Sequence, residues 1–185
     1  MRSLLKVPAL FVFCWVFACQ SLRNPSGAPR PAATAAGARP GANLQTRNNA
    51  LALLDDLLGD EKNLSKVLII KHNSDELGKL VKDISNTAGE GAKRLELLAK
   101  SEPGLNLKAM DLPPGEAATR KEISKTKEHL LLHSKDAEFQ FQLLLTQVEA
   151  LGYGSHLALV VAENESQADE TREFLRLSSE LRELH

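Results

Sequence analysis

The feature that most constrains this chain is a spacing. Between residues 54 and 184, apolar side chains return again and again at alternating intervals of three and four. That period matches the turn of an α-helix, so each run lays a greasy stripe along one helix face. Past residue 20 the aromatics are only Phe139, Phe141, Tyr153 and Phe174, so aliphatic side chains, chiefly leucine, must build the interior. Such a core suits helices and disfavours a β-sandwich or barrel.

The spacing predicts five helical segments. The first spans about Arg47 to Lys71, with Leu54, Leu57, Glu61, Leu64 and Leu68 on one face. Glu61 interrupts that stripe; a lone inward carboxylate reads as a water-facing edge. Asn73-Ser-Asp-Glu76 resembles a capping box, in which one side chain accepts from exposed N–H groups and a Glu reaches back. It opens a second helix to about Lys100, with Leu77, Val81, Ile84, Ala88, Gly91, Leu95 and Leu98 inward. Ala88 and Gly91 are small, which lets a neighbouring helix come close. Gly89 and Gly91 each cost about 1 kcal/mol relative to Ala in a helix, and close packing is the reason to keep one.

Ser101-Glu-Pro-Gly104 stops that helix. The connection through Asp111-Leu-Pro-Pro-Gly115 is long for a hairpin and is expected to cross the bundle end. A more polar third helix covers about Glu116 to His133, with Ile123 and Leu130 inward. In the fourth segment, Gly152-Tyr-Gly154 has the composition of a turn. Yet Ala137, Phe141, Leu144, Val148, Leu151, Ser155, Ala158 and Ala162 hold one register straight through it, with both glycines off the stripe. A turn has no reason to preserve phase. The segment therefore reads as one helix, about Lys135 to Asn164, bent if anywhere at 152–154. The fifth begins near Ser166 and carries Phe174, Leu177, Leu181 and Leu184. The expected fold is all-α, an antiparallel bundle of four to five helices.

The N-terminus is different in kind. Met1-Arg-Ser-Leu-Leu-Lys6 leads an apolar stretch of 12 residues, Val7 to Ala18, too short for the about 20 residues of a membrane-spanning helix. A charged start, an apolar middle and a small residue before the cut fit a secretory signal over residues 1–18. Val16-Phe-Ala-Cys19 resembles a bacterial lipobox, which makes Cys19 the expected lipidated residue and new N-terminus. Gln20 follows where inner-membrane retention usually has Asp. The resemblance to sorted lipoproteins thus implies the outer membrane, facing the periplasm, with the membrane as partner through the lipid. Residues 19–46 are rich in Pro, Ala and Gly and cannot bury enough surface to order themselves. They read as a flexible tether spanning on the order of 30 Å, with one domain over residues 47–185.

Charge sharpens the division. Five of the 23 basic residues and none of the 24 acids precede residue 43, so the remainder carries 18 bases against 24 acids. An acidic surface of mixed charges argues against nucleic acid, whose affinity needs a basic footprint. Cys14 leaves with the signal and Cys19 carries the lipid, so the folded part has neither disulfide nor thiol nucleophile.

Motifs for chemistry are scarce. There is no Glu-x-x-His pair for a di-iron site, no Gly-x-Ser-x-Gly elbow and no phosphate-binding Gly-rich loop. His129 and His133, four apart, share a helix face on which both rings can touch one metal. With Glu61 they are the candidate metal ligands, and two ligands do not make a site. His72 and His185 sit at helix ends and His156 lies off the apolar stripe. A gap beside Ala88 and Gly91 would suit a lipid or small apolar ligand.

Leu77-Gly-Lys-Leu-Val-Lys-Asp-Ile84 through Leu95-Glu-Leu-Leu-Ala99, and Phe139-Gln-Phe-Gln-Leu-Leu-Leu145 through Leu157-Ala-Leu-Val-Val-Ala-Glu163, carry a resemblance. In helix order and apolar spacing, most of residues 48–184 resembles an exported bacterial family of unknown function with a ferritin-like four-helix bundle, grouped with outer-membrane proteins. The family usually shows a His near the middle of each of two helices; the matching positions here are Ala88 and Tyr153. The resemblance implies fold and location. The expectation is a non-enzymatic envelope lipoprotein with no cofactor, acting through protein or envelope contacts. Its alternative is a ferritin-like metal-binding protein of the periplasm.

Overall fold

A computed structural model describes residues 40–69, 74–108 and 112–185. Among these residues the chain is helical, with no strand: α1 Pro40–Glu61, a 3₁₀ turn Leu64–Ile69, α2 Asp75–Ser101, α3 Pro114–His133, α4 Asp136–Asn164 and α5 Ala168–Leu184. The all-α bundle expected from the spacing is the fold observed. No helix among the described residues is long and apolar enough to cross a membrane. The stretch read as a signal, and the part of the expected tether up to residue 39, lie outside the described residues.

Pairs of facing side chains fix the directions. Arg47 reaches Glu165, Leu57 lies against Gly154, and Glu61 faces Gln147, so α1 and α4 run antiparallel. Leu58 packs on Gly91, which sets α1 against α2. Leu177 packs on that same glycine, bringing α5 onto α2. Ser178 Oγ donates to the carbonyl of Ser155 at 2.8 Å, tying α5 to α4. The ring α1–α2–α5–α4 encloses the core, while α3 sits outside it and packs on α4. Leu51, Leu54, Val81, Ile84, Leu95, Phe139, Leu143, Val161 and Leu177 are among its most deeply buried side chains.

Helix ends depart from expectation where local polar groups intervene. The first helix starts at Pro40, inside the segment read as tether; proline's fixed φ is already helical and its missing N–H is no loss in a first turn. It stops at Glu61 because Asn63 caps it, its side-chain amide donating to the Gly59 carbonyl at 2.8 Å. The chain then tightens into the 3₁₀ turn, so the expected single helix to Lys71 is two pieces. Ser74, rather than Asn73, caps α2, its hydroxyl accepting from the Leu77 N–H; Asn73 lies outside the described residues. The α2 stripe from Leu77 to Leu98 is buried throughout, as the spacing predicts. As far as Lys108 the connection after α2 lies against the bundle. It buries Leu105 and Leu107, and Lys108 meets Asp55 on α1 at 2.6 Å.

Two register expectations fail. On α3 the inward residues are Ser124 and Leu131, while Ile123 is half-buried and Leu130 is 41 % exposed. With a single neighbouring helix, α3 has too narrow a buried face for two leucines. On α4 the helix runs unbroken through Gly152-Tyr-Gly154, as phase requires, but Gly154 is buried rather than off the stripe. A Cβ there would lie 2.8 Å from Leu57 Cδ2 and 3.2 Å from Leu181 Cδ1. The glycine is what lets α1 and α5 close on α4. Gly91 does the same on α2, where a Cβ would come within 2.9 Å of Leu58 Cδ1. Of the gap expected beside Ala88 and Gly91, the space directly over Gly91 is taken by Leu58 and Leu177. A groove of about 370 Å³ between α2 and α5 lies along it, lined by Arg94, Leu97, Glu173 and Phe174.

Candidate functional site

Of the sequence-derived candidates, Cys19 and His72 lie outside the described residues. Glu61 is not at a water-facing edge. It is 4 % exposed, and its Oε2 has no hydrogen-bond partner among the described residues. Opposite stands Gln147 of α4, 2 % exposed, with Nε2 and Oε1 equally unpartnered. Burial pushes the Glu61 carboxyl up to about 8, the neighbouring Asp60 adds to this, and Gln147 acts slightly the other way. A carboxyl so placed is held neutral near pH 7, because its charged form would lack both water and a counter-ion.

His129 and His133 do meet, through stacked rings whose centroids are 4.1 Å apart. The His133 Nδ1–H donates to the His129 carbonyl at 2.8 Å, so one ring nitrogen is committed to backbone. Both rings are on the outer face of α3 and Glu61 is inside the bundle, so the three candidates do not converge. Among the described residues no group of three or more His, Cys, Asp or Glu is placed to hold a metal ion. At the positions where the resembling family has histidine, Ala88 is fully buried, while Tyr153 is half-buried with Arg120 hydrogen-bonded to it.

The most conspicuous chemistry on this molecule is apolar, and it lies on α4. Phe141 is 64 % exposed, Leu144 40 %, Leu145 45 % and Val148 42 %. These positions are one helical face. They continue downward the stripe whose upper members, Leu151, Ser155, Ala158 and Ala162, are buried. The cause is a difference in length. The 29 residues of α4 outrun the 17 of α5, which runs back along it only as far as Gly152, where His185 lies against the backbone. Below that level the same face has no cover among the described residues.

Beside this stripe, α3 and α4 enclose a groove of about 650 Å³ lined by Ile123, Leu130, Leu131 and Leu145, with Glu122 at its edge. Lys127 of α3 pairs with Glu149 of α4 across it. The connection at its closed end is only Ser134 and Lys135 long, made possible by Asp136, whose φ of 42° turns the chain sharply into α4. The spacing shows the stripe and predicts all of it to be core, whereas its lower half is exposed. The signal that would have separated its halves is the shortness of α5.

Comparison of the chain with family models, curated proteins and solved structures finds no match in any of the three.

Proposed function

We propose that this chain is a lipid-anchored helical module of the bacterial envelope that works through protein contact and not by turnover. The observation that carries the reading is the α4 stripe, uncovered among the described residues, beside the α3–α4 groove. A contiguous exposed apolar face on a soluble domain marks an interaction surface, and helix-in-groove docking is its common use. The lipobox-like Val16-Phe-Ala-Cys19 and the Pro/Ala-rich run behind it support anchoring on a tether, toward the outer membrane. The helix order and apolar spacing support a ferritin-like bundle of the exported family that the sequence resembles.

Two measurements test the halves separately. Palmitate incorporation in a bacterial host should occur in the native chain and vanish in Cys19→Ala; label that survives the change removes the anchor. A photocrosslinking phenylalanine analogue at Leu145 should give a discrete protein adduct in cells, and the same probe at exposed Lys125 on α3 should not. Equal adducts at both positions, or adducts with lipid alone, overturn the contact reading.

A further inference from the structure

Glu61 on α1 and Gln147 on α4 face each other inside the bundle, 4 % and 2 % exposed. Three of their polar atoms, Glu61 Oε2 and both amide atoms of Gln147, have no hydrogen-bond partner among the described residues. The other buried polar side chains of these two helices are committed. Thr146 donates to the Leu143 carbonyl and Ser155 to the Gly152 carbonyl, Asp55 holds Lys108, and Arg47 holds Glu102 and Glu165. An unmet buried polar group is expensive, and here three lie together.

Glu61 is not free to turn away. Its carbonyl accepts from Ser85 Oγ of α2 at 3.2 Å, and that hydroxyl accepts the Ser65 N–H of the 3₁₀ turn at 3.1 Å. The end of α1 is thereby tied to two further elements, which keeps the carboxyl inside. Its surroundings do not suit a charge. On α1 its neighbour Asp60 repels it, and no cation among the described residues acts on it. The 3₁₀ turn brings Lys66, but that ammonium is exposed and donates to Asn63 Oδ1 at 2.6 Å. From α2 comes the neutral Ser85 hydroxyl, and from α4 the neutral Gln147 amide.

We propose that Glu61 and Gln147 form a reciprocal acid–amide clasp between α1 and α4, closed while the carboxyl holds its proton and broken when that proton leaves to solvent. In the clasp Glu61 Oε2–H donates to Gln147 Oε1, and Gln147 Nε2–H donates to Glu61 Oε1. Each group then supplies one donor and one acceptor, and a single pairing satisfies all three unmet atoms. The terminal torsions of Glu and Gln are broad and roughly two-fold, so both planes turn to meet at little cost. The N–H arm alone favours the charged form, and the O–H arm opposes it. A carboxylate has no donor to offer, so ionisation strands Gln147 Oε1 against a negative charge. Burial keeps the carboxyl protonated up to about 8. The clasp is therefore closed at neutral pH and opens in mildly alkaline surroundings. It is independent of the lipid anchor and of the α4 apolar face.

The test is nuclear magnetic resonance of the full chain in mild detergent, with Glu and Gln side chains isotope-labelled. Spectra at about pH 6 and about pH 9.5 lie on either side of the Glu61 value of about 8. At the lower pH the Glu61 carboxyl carbon should have the shift of a neutral acid and show a scalar coupling through the hydrogen bond to Gln147 Nε2. Raising the pH should move the Gln147 amide resonances with the same midpoint as that carbon. It should also lower the protection of those hydrogens against solvent exchange roughly tenfold, after correction for base catalysis. Glu61→Gln replaces the acid–amide pair by an amide–amide pair of the same reach, so the Gln147 hydrogens there should keep their protection at both pH values. Four results would each overturn the clasp: a Glu61 carbon already charged at pH 6; Gln147 resonances that ignore its titration; Gln147 hydrogens with cross-peaks to water and no coupling to Glu61; or a Glu61→Gln variant as pH-sensitive as the native chain.

Discussion

Glu61 is where a single side chain sets a measurable property of the fold. Its carboxyl stands near 8 in the folded chain, against an ordinary value of 4.5. The folded state therefore holds a proton that the unfolded chain releases above pH 4.5, so stability falls as pH rises from about 4.5 to about 8 and is flat beyond. The loss is on the order of 5 kcal/mol across that window. Glu61→Gln keeps the shape and abolishes the titration. Urea melts should show the variant matching the native chain near pH 4 and exceeding it by roughly 3 kcal/mol at pH 7; parallel curves would show that the carboxyl stays charged inside. Two glycines give a contrast at the same scale. Gly154→Ala places a methyl 2.8 Å from Leu57 and should cost about 1–3 kcal/mol, as overpacked sites do. Gly89 sees only Lys62 Cβ at 3.9 Å, so Gly89→Ala should stabilise by up to about 1 kcal/mol. Equal effects of the two changes in thermal melts would contradict the packing described for α1 on α4.

Between elements, one ionic knot stands out. Arg47 of α1 is 3 % exposed and gives two hydrogen bonds to Glu102 after α2, at 2.7 and 2.9 Å, and one from Nε to Glu165 after α4, at 2.5 Å. Glu165 also accepts from the N–H groups of Ser166 and Gln167 at the head of α5. Burial works to raise its carboxyl, but the Gln167 N–H and Arg47 outweigh it and hold it below the usual range. Removing one member of a buried pair strands the other, so Arg47→Ala should cost about 3–5 kcal/mol, and Arg47→Lys should not restore it because one ammonium cannot make the fork. Denaturant midpoints check this; a loss under about 1 kcal/mol would mean that water reaches the knot. None of this was legible in the sequence, since Arg47 and Glu165 are 118 positions apart and nothing in the spacing joins them. The helices themselves were legible, including α4 through its glycines, because phase is a local property. The register of α3, the halves of the α4 stripe and the burial of Glu61 depended on which neighbour lies where and how far it extends. Periodicity reports a face without saying what meets it.

For the molecule as a whole, stability should be uneven. The ring of α1, α2, α5 and α4 shares one core, whereas α3 leans on α4 and contributes chiefly Leu131 to the buried cluster. Hydrogen exchange should therefore open α3 orders of magnitude faster than α2, through local unfolding that leaves the ring intact. Equal protection of the two helices would place α3 inside the cooperative unit.

The direction of α1 gives the molecule two unlike ends. The first helix begins at Pro40, on the element that carries the Arg47 knot, while the centre of the bare face lies some twenty residues down α4 from Glu165, about 30 Å away. A force applied at Pro40 therefore loads the charged cap and leaves the oily foot unloaded.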